Sequence, residues 1–134
     1  MKIKFLIAED IRPEASGKMV ILGLFPDDII IFVKPVSPEN ITPEKPHVIE
    51  KLYILLNVTN LSEKTHKFKA KIIDPDGKPY QENIELGEAF IKSGSSHTLL
   101  IKLQPFVVQT FGIYTCVFNV NNKSFKFPFE IREQ

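Results

Sequence analysis

Apolar and polar residues alternate along most of the chain, with the period of two that marks a half-buried β-strand. In "KIKFLIA" near the N-terminus, Ile3, Phe5 and Ile7 share one face and the lysines lie on the other. In "KSFKFPFEI" near the C-terminus, Phe125 and Phe127 begin a run of aromatic residues spaced by two. This pattern predicts an all-β fold in which most strands bury one face.

Turn-forming residues divide the chain into about eight or nine strands, with no helix and no internal repeat. Asp76–Gly77 and Asn121–Asn122 predict tight hairpin turns. Four prolines within residues 34–46 exclude a regular strand there and predict a stiff surface crossover. Gly23 predicts a bulge or a close backbone approach, and Pro128 places the last strand at an edge or a bulge. The strand number favours a two-sheet sandwich, with a closed barrel as the alternative.

Length and charge limit the function classes. The 134 residues fit one domain, 1–134, and a chain of this size can bury a core without metals or disulfides. The formal net charge of +1 gives no electrostatic reason to expect nucleic acid or a membrane as partner. Cys116 is the only cysteine, and the apolar run "FLIA" is too short for a secretion signal. These features predict a cytoplasmic protein.

Four acidic residues are the strongest candidates for a binding site. Glu9 and Asp10 follow an apolar strand, and Asp27 and Asp28 follow Pro26 in a turn. If both segments lie at the same end of a sandwich, their oxygens could bind a divalent cation such as calcium, or another small ligand. Ordinary turn chemistry is the favoured interpretation, and the acidic site is the alternative.

The remaining reactive residue types show no catalytic or metal-binding spacing. His47, His66 and His97 stand singly, which favours surface histidines without a role. Cys116 occupies an inward position of an apolar strand, where burial makes a thiol inert. The sequence therefore predicts no catalytic residue, no cofactor and no enzymatic activity.

"FGIYTCVFNV" (111–120) resembles the penultimate strand of immunoglobulin-like domains, in which a tyrosine lies two residues before a buried cysteine. Here these residues are Tyr114 and Cys116. The resemblance implies that the Tyr114 hydroxyl bonds to upstream backbone at a corner of the sheet. The chain departs from the antibody-type pattern because it has no second cysteine and no tryptophan.

The segment "IAEDIRPEASGKMVILGLFPDDIII" (7–31) resembles the start of a family of small, uncharacterised bacterial and phage proteins. What this family implies is a single immunoglobulin-like β-sandwich, here of eight or nine antiparallel strands, with no established activity. The residues that carry the resemblance are Asp10, Arg12, Gly17, Lys18, Gly23 and Phe25.

The function predicted from these observations is a non-enzymatic protein-interaction or structural module. "QPFVVQTF" (104–111) is more apolar than a connecting loop needs to be, which suggests a contact surface. The competing interpretation is that this segment plugs the end of the sandwich. The partner is an unidentified protein or a second copy of the chain. The candidate contact residues are Phe106, Val107, Val108 and Phe111.

Overall fold

The computed structural model describes residues 1–32 and 47–133. Within these ranges the elements are strands, apart from one 3-10 turn at Pro26–Asp28. The strands are β1 (Lys2–Pro13), β2 (Met19–Leu24), β3 (Ile29–Phe32), β4 (His47–Ile49), β5 (Leu52–Thr59), β6 (Lys64–Ile73), β7 (Pro79–Ile91), β8 (His97–Leu103), β9 (Phe106–Val108), β10 (Gly112–Val120) and β11 (Lys123–Glu133).

The strands form two larger open sheets and one small sheet. The four-stranded sheet has the order β2-β1-β5-β8, and the five-stranded sheet has the order β3-β11-β10-β6-β7. Strands β4 and β9 pair separately. The all-β prediction is confirmed, and the predicted hairpin turns at Asp76–Gly77 and Asn121–Asn122 join β6 to β7 and β10 to β11.

The structure differs from the predicted set of eight or nine antiparallel strands in two ways. It has eleven strands in the described ranges, because β4 and β9, of three residues each, lie in or beside segments predicted as loops. One pair is parallel: β3 runs alongside the end of β11, with Glu130 opposite Ile29. The turn after β2 does not close a hairpin but carries the chain into the other sheet. The proline-rich crossover predicted at 34–46 lies outside the described residues.

The facing sides of the two larger sheets form the main core. The ring of Phe5 on β1 stacks on the ring of Phe127 on β11, with centroids 5.2 Å apart and planes within 6°. Phe106, Tyr114 and Phe129 pack ring against ring deeper in the same core, with Phe106 and Tyr114 centroids 5.3 Å apart. The aromatic side chains of β11 therefore pack between the two larger sheets.

The four-stranded sheet also carries apolar residues on its outer face. Strand β5 is buried on both faces from Leu52 to Leu56, which explains why both alternating sets of that strand are apolar. The ammonium group of Lys102 lies 5.9 Å from the centroid of the Tyr53 ring, a cation–π distance. This outer cluster consists of Ala8, Ile11, Tyr53 and Leu55, with Leu6 and Leu100 packed against it.

One residue of the β1-β2 pair, Gly23, has a left-handed backbone. Gly23 has a φ of +65°, and a Cβ atom there would lie 2.7 Å from the side chain of Glu9. The register pairs Ala8 with Leu24 and Asp10 with Leu22, on either side of this position, without a shift. Gly23 thus allows the close approach that its position in the sequence predicts, with the Glu9 side chain as the approaching group.

Candidate functional site

The structure does not assemble the four acidic residues into one site. Glu9 and Asp10 line one cleft, whereas Asp27 and Asp28 line another. The separation arises because the chain changes sheets after β2, so the second pair leads into the five-stranded sheet. Asp10 accepts a hydrogen bond from Arg12 at 2.8 Å. Among residues 1–32 and 47–133, no group of three or more His, Cys, Asp or Glu side chains is placed to hold a metal ion.

Asp27 and Asp28 form the turn between the two sheets. Both have left-handed backbone conformations, with φ values of 59° and 55°, which aspartate tolerates better than most residues. Partial burial, and secondarily the charge of Asp27, raises the pKa of the Asp28 carboxyl above its usual value. Their cleft also includes Ile113 and Arg132 on the outside of the five-stranded sheet. The two aspartates therefore have a structural role in reversing the chain.

The predicted contact segment 104–111 is corrected in part. Phe106 and Val108 are fully buried in the main core, so their side chains cannot form a contact surface. The reason is that this segment forms β9, which pairs with β4 and directs both side chains into the main core. Val107 and Phe111 are half-buried. The Val107 amide donates to the Tyr80 hydroxyl at 2.9 Å. Phe106 and Val108 therefore fit the competing interpretation, in which the apolar side chains of this segment fill the interior.

Tyr114 lies at the start of β10 with its side chain almost entirely buried. Its hydroxyl donates a hydrogen bond of 2.7 Å to the backbone oxygen of Thr110, four residues upstream. This is the contact that the immunoglobulin-like resemblance implied for this residue. Burial raises the pKa of the Tyr114 hydroxyl, so that it remains a donor at any ordinary pH.

Cys116 and His66 are both buried in the interior. Cys116 is fully buried, and desolvation raises the pKa of its thiol to about 12. His66 is 2 % exposed, so the prediction of a surface histidine is wrong for this residue. Its Nε2 donates to the Ser62 carbonyl at 2.8 Å, and its Nδ1 accepts from the Asn121 amide at 3.1 Å. The two ring nitrogens therefore bond to two different turns, because Ser62 lies between β5 and β6 and Asn121 lies between β10 and β11.

The most unusual surface is one that the sequence prediction missed, namely the outer edge strand of the four-stranded sheet. We call Met19–Leu24 the β2 edge. It contains no charged or polar side chain. Leu22 and Leu24 are 48 % and 50 % exposed, and Met19 and Ile21 are each 37 % exposed. The sequence does not reveal this exposure, because "MVILGL" is as apolar as a strand that is buried on both faces.

A cleft lies beside the β2 edge. It measures about 540 Å³ and contains Leu22 from that edge. Its charged lining residues are Glu9, Asp10, Glu50 and Lys51. The other apolar lining residues are Phe25, Ile30, Ile31, Val48 and Ile49. The apolar part of this cleft thus adjoins the β2 edge at Leu22.

The fold and these surfaces define an all-β protein of two open sheets. The chain belongs to the family of unknown function DUF6941, whose family model matches residues 4–132. No match was found among curated proteins. Among solved structures, the chain is similar to a beta-glucosidase from Listeria innocua in complex with gluconolactone, at 9 % identity and a TM-score of 0.43. That match covers 97 % of this chain and 16 % of the beta-glucosidase chain. No helix in the described ranges is long and apolar enough to cross a membrane.

Proposed function

We propose that this chain is a non-enzymatic, immunoglobulin-like protein-interaction module. The immunoglobulin-like assignment is supported by the packing of β1-β5-β8 against β11-β10-β6, and by β3 running parallel to β11. The Tyr114 hydroxyl bond to Thr110 gives further support, since a tyrosine at this corner is typical of that fold. The resemblance of residues 7–31 supports an origin in bacteria or phages.

The observation that carries the interaction function is the exposed β2 edge. An edge strand presents unpaired backbone N–H and C=O groups, and folded proteins usually protect such strands with charges, proline or bulges inside the strand. Here the charged and proline residues flank the edge, at Lys18 and Pro26, and the strand between them is wholly apolar. A strand added to this edge would satisfy the backbone groups and cover Ile21, Leu22 and Leu24.

The non-enzymatic part of the proposal rests on what the reactive side chains do. The Cys116 thiol is buried and its pKa is raised to about 12, which removes the thiolate that a nucleophile needs. His66 uses both ring nitrogens in structural hydrogen bonds, and Asp10 is paired with Arg12. A single buried cysteine also suits the reducing cytoplasm, where we place the protein.

Affinity capture from the native cell tests the interaction function. The baits are the wild-type chain, the double variant Ile21→Lys/Leu24→Lys and the control Phe90→Lys. Phe90 is 62 % exposed on β7, at the edge of the other sheet, so its substitution matches the exposure but not the location. We expect wild type and control to retain the same protein, which the β2 variant loses. Equal recovery with all three baits would show that the β2 edge is not the interaction surface.

A further inference from the structure

Deepening the proposed function on which it rests, we propose that the β2 edge pairs antiparallel with the β2 edge of a second copy of this chain. The two copies would be related by a two-fold axis, the commonest symmetry of homo-oligomers. Their four-stranded sheets would then join into one sheet of eight strands.

Backbone pairing and side-chain cover both favour this contact. The β2 edge is six residues long, or about 20 Å at the usual rise of a strand. Its four exposed large hydrophobic residues include Leu22 and Leu24, which are close to half exposed, so the pairing removes apolar side chains from water. Within the edge no like charges oppose each other, because Met19–Leu24 has no charged residue.

The charged residues on either side of the β2 edge favour pairing with the β2 edge of a second copy in the antiparallel direction. Lys18 precedes the edge, and Asp27 and Asp28 follow it by a few residues. Antiparallel self-pairing brings the basic flank of one copy toward the acidic flank of the other, and does so twice about the axis. A parallel arrangement would bring Lys18 toward Lys18 and the aspartates toward each other. Of these three flanking residues, antiparallel pairing therefore brings opposite charges toward each other, and parallel pairing brings like charges together.

The contact area sets the strength of the dimer. One pair of six-residue strands buries less surface than a standard stable interface. We therefore expect an association that depends on protein concentration in the micromolar range and weakens as salt screens the flanking charges.

Sedimentation equilibrium of the purified chain over a range from about 1 µM to several hundred µM tests this proposal. The wild type and Phe90→Lys should form dimers, and Ile21→Lys/Leu24→Lys should remain monomeric. Lys18→Glu, which changes only an exposed flank, should weaken the dimer by about threefold to tenfold, because two exposed ion pairs are lost. Full overlap of the two six-residue strands sets Ile21 opposite Leu22 of the copy, so Ile21→Cys/Leu22→Cys should form a disulfide-linked dimer under mild oxidation, whereas Phe90→Cys should not.

A wild type that stays monomeric at several hundred µM would overturn the proposal. Dimers of Ile21→Lys/Leu24→Lys and of Lys18→Glu that are as strong as the wild-type dimer would also overturn it. A monomer whose β2 edge still captures another protein would overturn the self-pairing alone. A monomer that captures nothing through β2 would overturn the interaction function as well.

Discussion

At the scale of single residues, one hydrogen bond fixes the chain reversal before β10. The Tyr114 hydroxyl donates to the Thr110 carbonyl at 2.7 Å inside the core. We expect Tyr114→Phe to lower the free energy of unfolding by about 1 kcal/mol, because the ring stays in place and the Thr110 oxygen loses its buried donor. Urea denaturation measures this change. Tyr53→Phe, on the outer face of the other sheet, is the matched control and should change stability by much less.

Asn121 combines a left-handed backbone with two side-chain contacts. Its φ is 57°, its amide donates to His66 Nδ1, and its Oδ1 accepts from the Lys67 amide at 3.0 Å. Asn121→Gly keeps the backbone conformation and loses both contacts, at a cost of about 1–3 kcal/mol. Asn121→Ala should cost about 1 kcal/mol more, because alanine is strained at positive φ.

Thermal or urea denaturation compares the two Asn121 variants with Asn122→Ala at the neighbouring exposed turn position. Equal stability of the glycine and alanine variants would contradict the left-handed conformation. Full stability of Asn121→Gly would contradict the contact with the buried histidine.

Burial of the Cys116 thiol predicts that the free energy of unfolding decreases at alkaline pH. Its folded pKa of about 12 lies above the ordinary value of 9.0, so burial favours the neutral thiol. The corresponding stability is complete below about pH 9 and is lost as pH rises toward 12. Cys116→Val should flatten this part of the stability curve measured by urea denaturation. A thiol reagent at pH 8 should modify the folded wild type no faster than it unfolds.

At the scale of elements, Gly23 allows the Glu9 side chain of β1 to lie close to the backbone of the β2 edge. Gly23→Ala should destabilise the protein by about 1–2 kcal/mol, because alanine is strained at φ +65° and its Cβ would meet the Glu9 side chain. Glu9 is a flexible neighbour, so adding Glu9→Ala should recover part of this loss and leave the backbone cost. Urea denaturation of Gly23→Ala and of Gly23→Ala/Glu9→Ala separates the cost of the contact with Glu9 from the cost of the backbone strain. Unchanged stability of Gly23→Ala would contradict the left-handed backbone of Gly23 and the close approach of Glu9.

The elements differ in how well the sequence predicts them. Strands with one solvated face, such as β6 with its exposed lysines, follow directly from the period of two. Strand β9 does not, because its three residues gain their partner only when β4 arrives from a distant part of the chain. The same limit applies to Asp27 and Asp28: local sequence predicts a turn, but not that the turn leads into the other sheet. Burial of His66 likewise depends on Asn121, 55 residues away.

At the scale of the whole molecule, the β2 edge is an exposed apolar strand at the outside of the four-stranded sheet, within the part of the chain that the structure describes. The sequence predicted an interaction module but placed the contact at 104–111, where Phe106 and Val108 proved to be buried. An apolar run of five or six residues has the same pattern in a core strand and in an open edge. Only the sheet order places Met19–Leu24 at the outside.

Amide hydrogen exchange of the β2 edge tests the central claim most directly. Exchange at Met19–Leu24 is measured in the wild type at low micromolar and at several hundred micromolar protein, with the loop at 93–96 as an internal reference. The account predicts slower exchange of the edge amides at the higher concentration and no change in the reference loop. Equal exchange of the edge at both concentrations would contradict the pairing of this edge with a second copy.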